Sequence, residues 1–479
     1  MILPILQVII PLTSAILCFL FNNHKLSWIL SLITTSTTLL ISSLLLCKTY
    51  NGEIINYNVG GWIAPYGIEL RIDLFNAVML CLINFISLMS ILYGFYINKK
   101  EIDEDKIAGL YSIFLFCLSG FIGILVTNDV FNIYVFLEIS SLSSYILVAM
   151  GRSKSSLTAA FEYLINGTIG ATFYLIGVGL LYSVTGTLNI SDLALKISYL
   201  HDSLIIQSGL IFIVIGLLIK IALFPLNRWL VNAYSASPSF VTIFFSGTAT
   251  KVMIYVLLRI YYSIFYANSL FIESYLTHLL LILALCGIVF GGLLAIVEKD
   301  LKKLLAYSSV AQIGYIILGV SLNSKAGLTA AIIHMISHSI VKSALFMVAG
   351  CASYTTGTTN IENLNKSSIT PIFIILGMGL IGVPITFGFV AKWYLLKSII
   401  DSILWVPLVI FVLGSFLSVI YVWKVIEKMY LKANQEMKIT QIPITMLLCS
   451  WFMVIPIVVF GIYSKPIVDI ADKISALLQ

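Results

Sequence analysis

The sequence predicts an all-α polytopic membrane protein, a bundle of about fourteen transmembrane helices with a small β-hairpin on its outer face. Composition is the first reason: 60% of the 479 residues are hydrophobic and 10% are charged, whereas an ordinary soluble domain carries about 25% charged residues. The second reason is that apolar runs of roughly 20 residues recur from end to end, each long enough to cross a hydrocarbon core of about 30 Å. Together these observations exclude a soluble fold.

The first apolar segment, residues 1–21, lacks a basic n-region and a small-residue cleavage site. We therefore expect a retained helix rather than a signal peptide. The same criterion of length and hydropathy gives the remaining spans. The predicted spans are residues 2–21, 27–47, 73–98, 108–127, 129–150, 158–184, 205–224, 239–263, 274–297, 303–322, 326–350, 371–396, 403–426 and 441–463.

Residues 50–73, between the second and third spans, are predicted to form a hairpin rather than a helix. Two extended runs, residues 54–59 and 67–71, flank a stretch that contains glycine and proline. Such a pattern is typical of two paired strands around a turn. We therefore expect this segment to cap one face of the bundle.

Basic residues in alternate loops predict the orientation of the helices. With the N-terminus outside, the inner loops hold 15 lysines and arginines, and the outer loops and termini hold 8. Because positively charged loops stay on the cytoplasmic side, we expect both termini outside the cell inner (plasma) membrane. The same rule accounts for the formal charge of +6, so the charge does not point to a nucleic-acid partner.

Four basic residues remain, and they lie inside predicted spans: Lys220, Lys251, Lys342 and Lys392. A charge at the centre of a transmembrane helix costs about 2.5–3.5 kcal/mol on insertion scales, so such residues persist mainly where they pair or line a hydrated path. Glu138 is the only carboxylate deep in a predicted span. We therefore expect it to pair with Lys220 or with Lys251.

The eleventh span carries His334, His338 and Lys342 at intervals of four residues, which places all three on one helical stripe. Histidine titrates near physiological pH, and a buried lysine can lose its proton. The alternative is a set of polar side chains that only hydrogen-bond neighbouring helices. Four buried lysines, a stripe and an acid in one chain favour a proton path instead.

Proline interrupts two spans, each time close to one of these lysines. Lys220 precedes Pro225 and Lys392 follows Pro384, and a proline inside a helix removes a hydrogen bond and breaks or kinks the helix. Broken helices at corresponding positions of two halves are typical of inverted-repeat transporters. Because each of the two spans is the fourth of a five-helix set, we expect two inverted repeats, each with one broken helix.

These repeats divide the chain into four predicted parts. Residues 1–107 hold the first three helices and the hairpin, and residues 427–479 hold the fourteenth helix. The two five-helix halves are residues 108–263 and 264–426. The seven cysteines are scattered, without a C-x-x-C motif or a clustered Cys/His set, so the sequence predicts no disulfide framework, no metal site and no redox cofactor.

Three segments carry a family resemblance. They are residues 220–251, with Lys-Ile-Ala-Leu-Phe-Pro-Leu and a following Trp-Leu pair, the block of residues 298–315, and the stripe of His334, His338 and Lys342 with Phe346. They resemble the proton-translocating antiporter family shared by respiratory complex I and Mrp cation/proton antiporters. Within this family, Gly-Gly-Trp-Ile-Ala-Pro-Tyr-Gly-Ile at residues 60–68 is more similar to the D-type subunits of Mrp antiporters than to complex I subunits.

The resemblance implies a role for most of the buried ionisable residues. It makes Glu138 and Lys220 an ion pair, Lys251 the next proton carrier, His334 and His338 the central relay, and Lys392 the exit lysine. Lys342 matches a family position without a defined role. The chain departs from the family pattern at Asn227, Arg228 and Val231, where many relatives have a histidine before the Trp-Leu pair and a proline after it.

The resemblance also implies a function: a proton-translocating subunit of a multisubunit monovalent cation (Na⁺ or K⁺)/H⁺ antiporter. Such a chain is a secondary transporter subunit rather than an enzyme, and it works in the lipid bilayer beside other membrane subunits. Two alternatives stay open. One is a proton-pumping membrane subunit of an NADH:quinone oxidoreductase (complex I) or membrane-bound hydrogenase, and the other is an assembly scaffold without transport of its own.

Overall fold

The structure is a computed structural model that describes residues 2–199, 203–265, 275–364, 367–431 and 441–479. It is almost entirely α-helical, which confirms the predicted class. The α-helices are α1 (Leu3–Phe21), α2 (His24–Tyr50), α3 (Leu74–Glu101), α4 (Ile107–Val126), α5 (Val130–Ala149), α6 (Lys154–Thr185), α7 (Ile190–Ile197), α8 (Leu204–Ile221), α9 (Arg228–Ala236), α10 (Ser239–Gly247), α11 (Ala249–Ile260), α12 (Thr277–Val297), α13 (Leu301–Ser321), α14 (Lys325–Thr356), α15 (Thr370–Ile381), α16 (Phe387–Asp401), α17 (Trp405–Leu431), α18 (Ile444–Ile462) and α19 (Lys465–Leu478).

Thirteen helical segments among the described residues are long and apolar enough to cross a membrane, when α10, α11 and the residues up to Phe265 are counted as one. The predicted span at residues 371–396 is not one of them, because it is broken into α15 and α16, each too short to cross alone. Large apolar side chains such as Leu40, Phe161 and Phe416 are more than half exposed around the bundle. Contiguous apolar surface of this kind is unfavourable in water, and it suits a protein surrounded by lipid.

The predicted hairpin is a two-stranded antiparallel sheet of β1 (Ile55–Asn58) and β2 (Glu69–Ile72). Its register pairs Asn56 with Arg71 and Asn58 with Glu69. Each strand has four residues, fewer than the extended runs predicted at residues 54–59 and 67–71. We call the side of the bundle that carries this sheet the hairpin face. The side that carries the ion pair between Arg152 Nε and Asp103 Oδ1, at 3.0 Å, is the opposite face.

Two five-helix repeats of inverted direction organise the bundle. Helices α6 and α14 are both 32 residues long, and each ends at a left-handed glycine, Gly186 or Gly357. Isolated β-bridges join Asp129 to Asn189 and Asp300 to Asn360, at positions 171 residues apart in the two halves. Because each repeat has an odd number of spans, equivalent helices run in opposite directions through the membrane.

Both breaks predicted from proline are present. Helix α8 ends at Ile221 before α9 begins at Arg228, and α15 ends at Ile381 before α16 begins at Phe387. The sequence did not predict the short helix α7, the C-terminal helix α19 or the interruption at Thr248 that separates α10 from α11. The first residue of the predicted span 274–297 lies outside the described residues. So do three lysines that were predicted to lie in inner loops: Lys366, Lys432 and Lys438.

Candidate functional site

The predicted stripe of ionisable residues lies on α14, a long helix whose middle is completely buried. Every residue of α14 between Gly327 and Ala352 is buried, because the helix packs against α3, α10, α13, α16, α18 and α19. His334 and His338 are each 3% exposed, and Lys342 is completely buried. The stripe therefore lies at the centre of the bundle rather than against lipid.

Lys342 and Lys251 form the first part of the buried site. The Lys342 ammonium donates a hydrogen bond to the main-chain oxygen of Leu305 at 2.8 Å and another to the hydroxyl of Ser308. The Lys251 ammonium donates to the main-chain oxygen of Ser246. Ser246 lies at the end of α10, just before the interruption at Thr248. The two lysines are close enough to interact electrostatically, although neither is paired with a carboxylate among the described residues.

The two histidines form the second part. His334 Nε2 lies 2.9 Å from Gln312 Oε1, and the rings of His334 and His338 stack with centroids 6.4 Å apart. Both ring nitrogens of His338 and Nδ1 of His334 have no hydrogen-bond partner among the described protein atoms. Buried polar atoms are usually paired, so these nitrogens are available to accept or donate a proton.

Lys392 lies in α16, beside the break that separates this helix from α15. Its ammonium donates to the main-chain oxygen of Ile381 at 2.9 Å and to the hydroxyl of Ser415 at 3.2 Å. Ile381 is the last residue of α15, where helix carbonyl groups lack a partner within the helix. The broken helix thus supplies the acceptor that allows this charge to be buried.

Tyr315 connects Lys392 with the histidines, and sequence reasoning gave it no role. The Lys392 ammonium lies 4.8 Å from the centre of the Tyr315 ring, and the ring centroids of Tyr315 and His334 are 5.8 Å apart. The Tyr315 hydroxyl lies 3.4 Å from the hydroxyl of Ser415. Gln312 and Tyr315 are three residues apart in α13 and so lie on one face of the helix. This spacing is the sequence signal that could have identified both residues as neighbours of the histidines.

Lys220 lies near the end of α8, and its contacts differ from the predicted ion pair. The ammonium donates to the hydroxyls of Ser141, at 2.7 Å, and Tyr145, at 3.3 Å. Glu138, one helical turn before Ser141 on α5, is half-buried and acts on Lys220 electrostatically. No ion pair within 4 Å joins these two described side chains. The α5 hydroxyls therefore lie where direct pairing with Glu138 was expected.

Two further basic residues, which the count by orientation assigned to loops, are largely buried. Arg259 lies in α11, and its guanidinium forms a 2.5 Å ion pair with Asp73, the N-cap residue of α3. Lys302, in the first turn of α13, is 6% exposed and donates to the main-chain oxygen of Ser237 at 3.0 Å. Arg259 lies in the last turn of α11 and Lys302 in the first turn of α13. At the end of a helix, hydropathy alone cannot distinguish a buried charged residue from one in a loop.

The predicted site residues thus fall into two groups. The first group lies at the centre of the bundle, and each of its members is within electrostatic range of at least one other member; it consists of Lys251, His334, His338, Lys342 and Lys392. Glu138 and Lys220 form a second group between α5 and α8. Among the described residues, no group of three or more His, Cys, Asp or Glu side chains is placed to hold a metal ion.

Several known proteins are similar to this chain in sequence. The family model described as "NADH:quinone oxidoreductase/Mrp antiporter, TM" matches residues 127–418. A protein of Desulforudis audaxviator, described as the N subunit of NADH-quinone oxidoreductase, is 38% identical, and the match covers 98% of this chain and 97% of that protein. A D-type Na⁺/H⁺ antiporter subunit of Alkalihalophilus pseudofirmus is 31% identical over 83% of this chain and 80% of its own length.

Two solved structures show a similar fold. A chain of the archaeal membrane-bound sulfane sulfur reductase has a TM-score of 0.92 at 31% identity, with 99% of this chain and 97% of that chain covered. A chain of the Mrp complex from Dietzia sp. has a TM-score of 0.90 at 24% identity, with 100% and 97% covered. The second likeness, at this identity, supports the fold alone.

Proposed function

The chain belongs to the NADH:quinone oxidoreductase/Mrp antiporter transmembrane family, and from that premise we propose that it is the proton-translocating subunit of a multisubunit monovalent cation (Na⁺ or K⁺)/H⁺ antiporter. The observation that carries the proposal is the buried group of Lys251, His334, His338, Lys342 and Lys392, none of which is neutralised by a carboxylate within 4 Å among the described residues. Such charges inside a membrane protein persist mainly where they serve ion movement.

In the proposed mechanism, protons pass laterally through the buried residues from the first repeat to the second. Lys220 and Lys251 take up the proton in the first repeat, His334 and His338 pass it on, and Lys392 releases it. Each step needs hydrogen-bond reach, directly or through one water. The contacts of Tyr315 with His334 and Lys392 support the last step. Glu138 adjusts the charge balance around Lys220 from a distance.

The same chemistry argues against cation passage along these residues. A fixed ammonium repels Na⁺ or K⁺, so a path lined with lysines suits protons better than metal cations. We therefore propose that the cation crosses through another membrane subunit of the complex. The protein itself would be a transporter subunit without a catalytic reaction or cofactor, located in the cell inner (plasma) membrane with both termini outside.

The test is to replace Lys392 in the whole complex, reconstituted in vesicles. Lys392→Arg keeps a permanent charge because arginine stays protonated, so we expect it to reduce cation-driven proton movement as strongly as Lys392→Ala, by roughly tenfold or more. Lys397→Arg, at an exposed position of the same helix, is the matched control and should transport normally. Normal transport by an assembled Lys392→Arg complex would make Lys392 a structural charge.

The second candidate is a proton-pumping subunit of a redox enzyme, and the 38% identity to a protein described as the N subunit of NADH-quinone oxidoreductase favours it. The buried residues would then work identically but take their energy from electron transfer in partner subunits. Purification of the native complex separates the candidates. Antiporter subunits and proton movement driven by a Na⁺ or K⁺ gradient support the first proposal, whereas iron–sulfur or quinone-binding subunits and movement driven only by an electron donor support the second.

A further inference from the structure

An open cavity of about 460 Å³ lies on the opposite face, between α6, α9 and the start of α13. Its polar lining includes Thr158, Glu162, Asn232, Asp300 and Lys303. We call it the Glu162 cavity. A polar cavity with a carboxylate at the mouth of a membrane bundle is a place where water and protons can reach the interior.

Glu162 is held at this cavity by the broken helix of the first repeat. Asn232, on α9, donates a hydrogen bond to Glu162 Oε2 at 2.5 Å. One turn further along α6, the Asn166 amide donates to the main-chain oxygen of Glu162 at 2.8 Å. The carboxylate thus faces the cavity while the next polar side chain lies deeper in the membrane.

A stripe along α6 leads from the cavity to Lys220. Thr158, Glu162, Asn166 and Gly170 follow one another at intervals of four residues, which keeps them on neighbouring positions of one helical face. A methyl group at Gly170 would lie 3.3 Å from Cγ of Lys220, so the stripe reaches the lysine side chain. Glu162 and Gly170 are two turns apart, about 12 Å along the helix axis.

In the second repeat, the residues equivalent to Thr158 and Glu162 are buried. The 171-residue offset relates Thr158 to Thr329 and Glu162 to Ile333, a fully buried apolar residue. The hydroxyl of Thr329 donates to Asp472 Oδ1 at 2.8 Å and lies 2.9 Å from the hydroxyl of Ser475. Both partners belong to α19, which therefore covers the position that the first repeat leaves open.

We propose that the Glu162 cavity is the proton-loading site of Lys220 and that Glu162 is its first acceptor. The Glu162 carboxylate takes a proton from water in the cavity. It then passes this proton to the neutral amine of Lys220 through water that Asn166 positions, and the carboxylate is regenerated. This assignment rests on the proposed function, because it specifies where the translocated proton enters.

The experiment measures initial proton uptake by vesicles that contain the whole complex. Glu162→Gln keeps the side-chain shape but removes the proton acceptor, so uptake should fall roughly tenfold or more. Glu104→Gln makes the same change at an exposed carboxylate of the same face and should leave uptake unchanged. Assembly of each variant is checked by co-purification of the partner subunits.

A labelling pair tests the cavity without relying on transport. In the detergent-solubilised complex, where both faces of the bundle are accessible, Thr158→Cys should react with a hydrophilic thiol reagent above the background of the wild-type chain, whereas Thr329→Cys, covered by α19, should not. Normal uptake by Glu162→Gln, or no labelling of Thr158→Cys, would overturn the assignment. If Glu162→Gln does not assemble, the labelling pair decides. A wild-type complex that moves no protons would instead overturn the proposed function, and the loading role with it.

Discussion

The buried lysines are stabilised at the residue scale by main-chain oxygens rather than by carboxylates. The ammonium groups of Lys251, Lys342 and Lys392 each donate to a carbonyl, of Ser246, Leu305 and Ile381 respectively. A neutral acceptor reduces the cost of burying the ammonium without fixing its charge as a carboxylate would. Such a lysine can therefore lose and regain its proton more readily than a member of a tight ion pair.

Tyr315 gives the first prediction at this scale. Its hydroxyl donates to the main-chain oxygen of Phe411 at 3.1 Å and lies 3.4 Å from the Ser415 hydroxyl, which also accepts a hydrogen bond from Lys392. Tyr315→Phe keeps the ring and its packing but removes the hydroxyl, so we expect normal assembly with proton movement reduced by roughly tenfold. The measurement is cation-driven pH change in vesicles.

The control for this change is Tyr96→Phe. Tyr96 lies on α3 and is 41% exposed, so loss of its hydroxyl should leave both assembly and transport unchanged. Equal transport by the Tyr315 and Tyr96 variants would mean that the proton reaches Lys392 by another route.

At the scale of the helices, the breaks decide where the charges can lie. At the interruption at Thr248 and at the gap between α15 and α16, a carbonyl group inside the bundle accepts a hydrogen bond from a buried lysine. Proline in the sequence predicted two breaks but not the one at Thr248, because no proline marks it. The helix is interrupted at residues 247–248 because of how it packs in the folded chain, not because of a proline.

Gly382 provides a test of the α15–α16 break. Its φ is +87°, and a Cβ there would lie 2.8 Å from Cδ of Lys392. Gly382→Ala therefore adds about 1–2 kcal/mol of left-handed backbone strain and also displaces the lysine side chain. We expect a lower melting temperature of the purified complex and a loss of transport.

Gly357→Ala is the matched control, because Gly357 has a φ of +74° but nothing within 4 Å of the added Cβ. It should lower the melting temperature to a similar extent while transport is retained. If Gly382→Ala transports as well as Gly357→Ala, the position of Lys392 at the break is not critical.

At the scale of the whole molecule, α19 makes the two repeats unequal. It buries Ile467, Val468, Ile474 and Leu478 against the bundle, mainly against α14. The repeats share helix lengths and β-bridges, yet the groove of one is open at Glu162 and that of the other is covered at Thr329. The two repeats therefore differ in how far water can approach equivalent positions.

Removal of α19 by truncation after Ser464 tests this asymmetry. The membrane spans should still insert, because each satisfies its own main-chain hydrogen bonds. Loss of four buried apolar side chains, each contributing about 1.5–3 kcal/mol, should lower the melting temperature and make Thr329→Cys reactive. Asp469→Asn, at an exposed position of α19, is the control and should change neither property. An unreactive Thr329→Cys in the truncated chain would show that another element covers it.

The class of the protein, its apolar spans, the hairpin, two helix breaks and the buried lysines and histidines could all be predicted from the sequence. These features are local: hydropathy needs only about 20 residues, and proline breaks the helix that contains it. The limits of the four predicted parts stay a prediction.

Which of these groups meet could be learned only from the packing of the folded chain. The fold places Tyr315 between His334 and Lys392 and pairs Asp73 with Arg259 across 186 residues of chain. It also puts two α5 hydroxyls against Lys220, where a carboxylate was expected, and places α19 over the start of α14. Such contacts depend on how helices distant in sequence pack together, and the periodicity of a single helix carries no information about its neighbours.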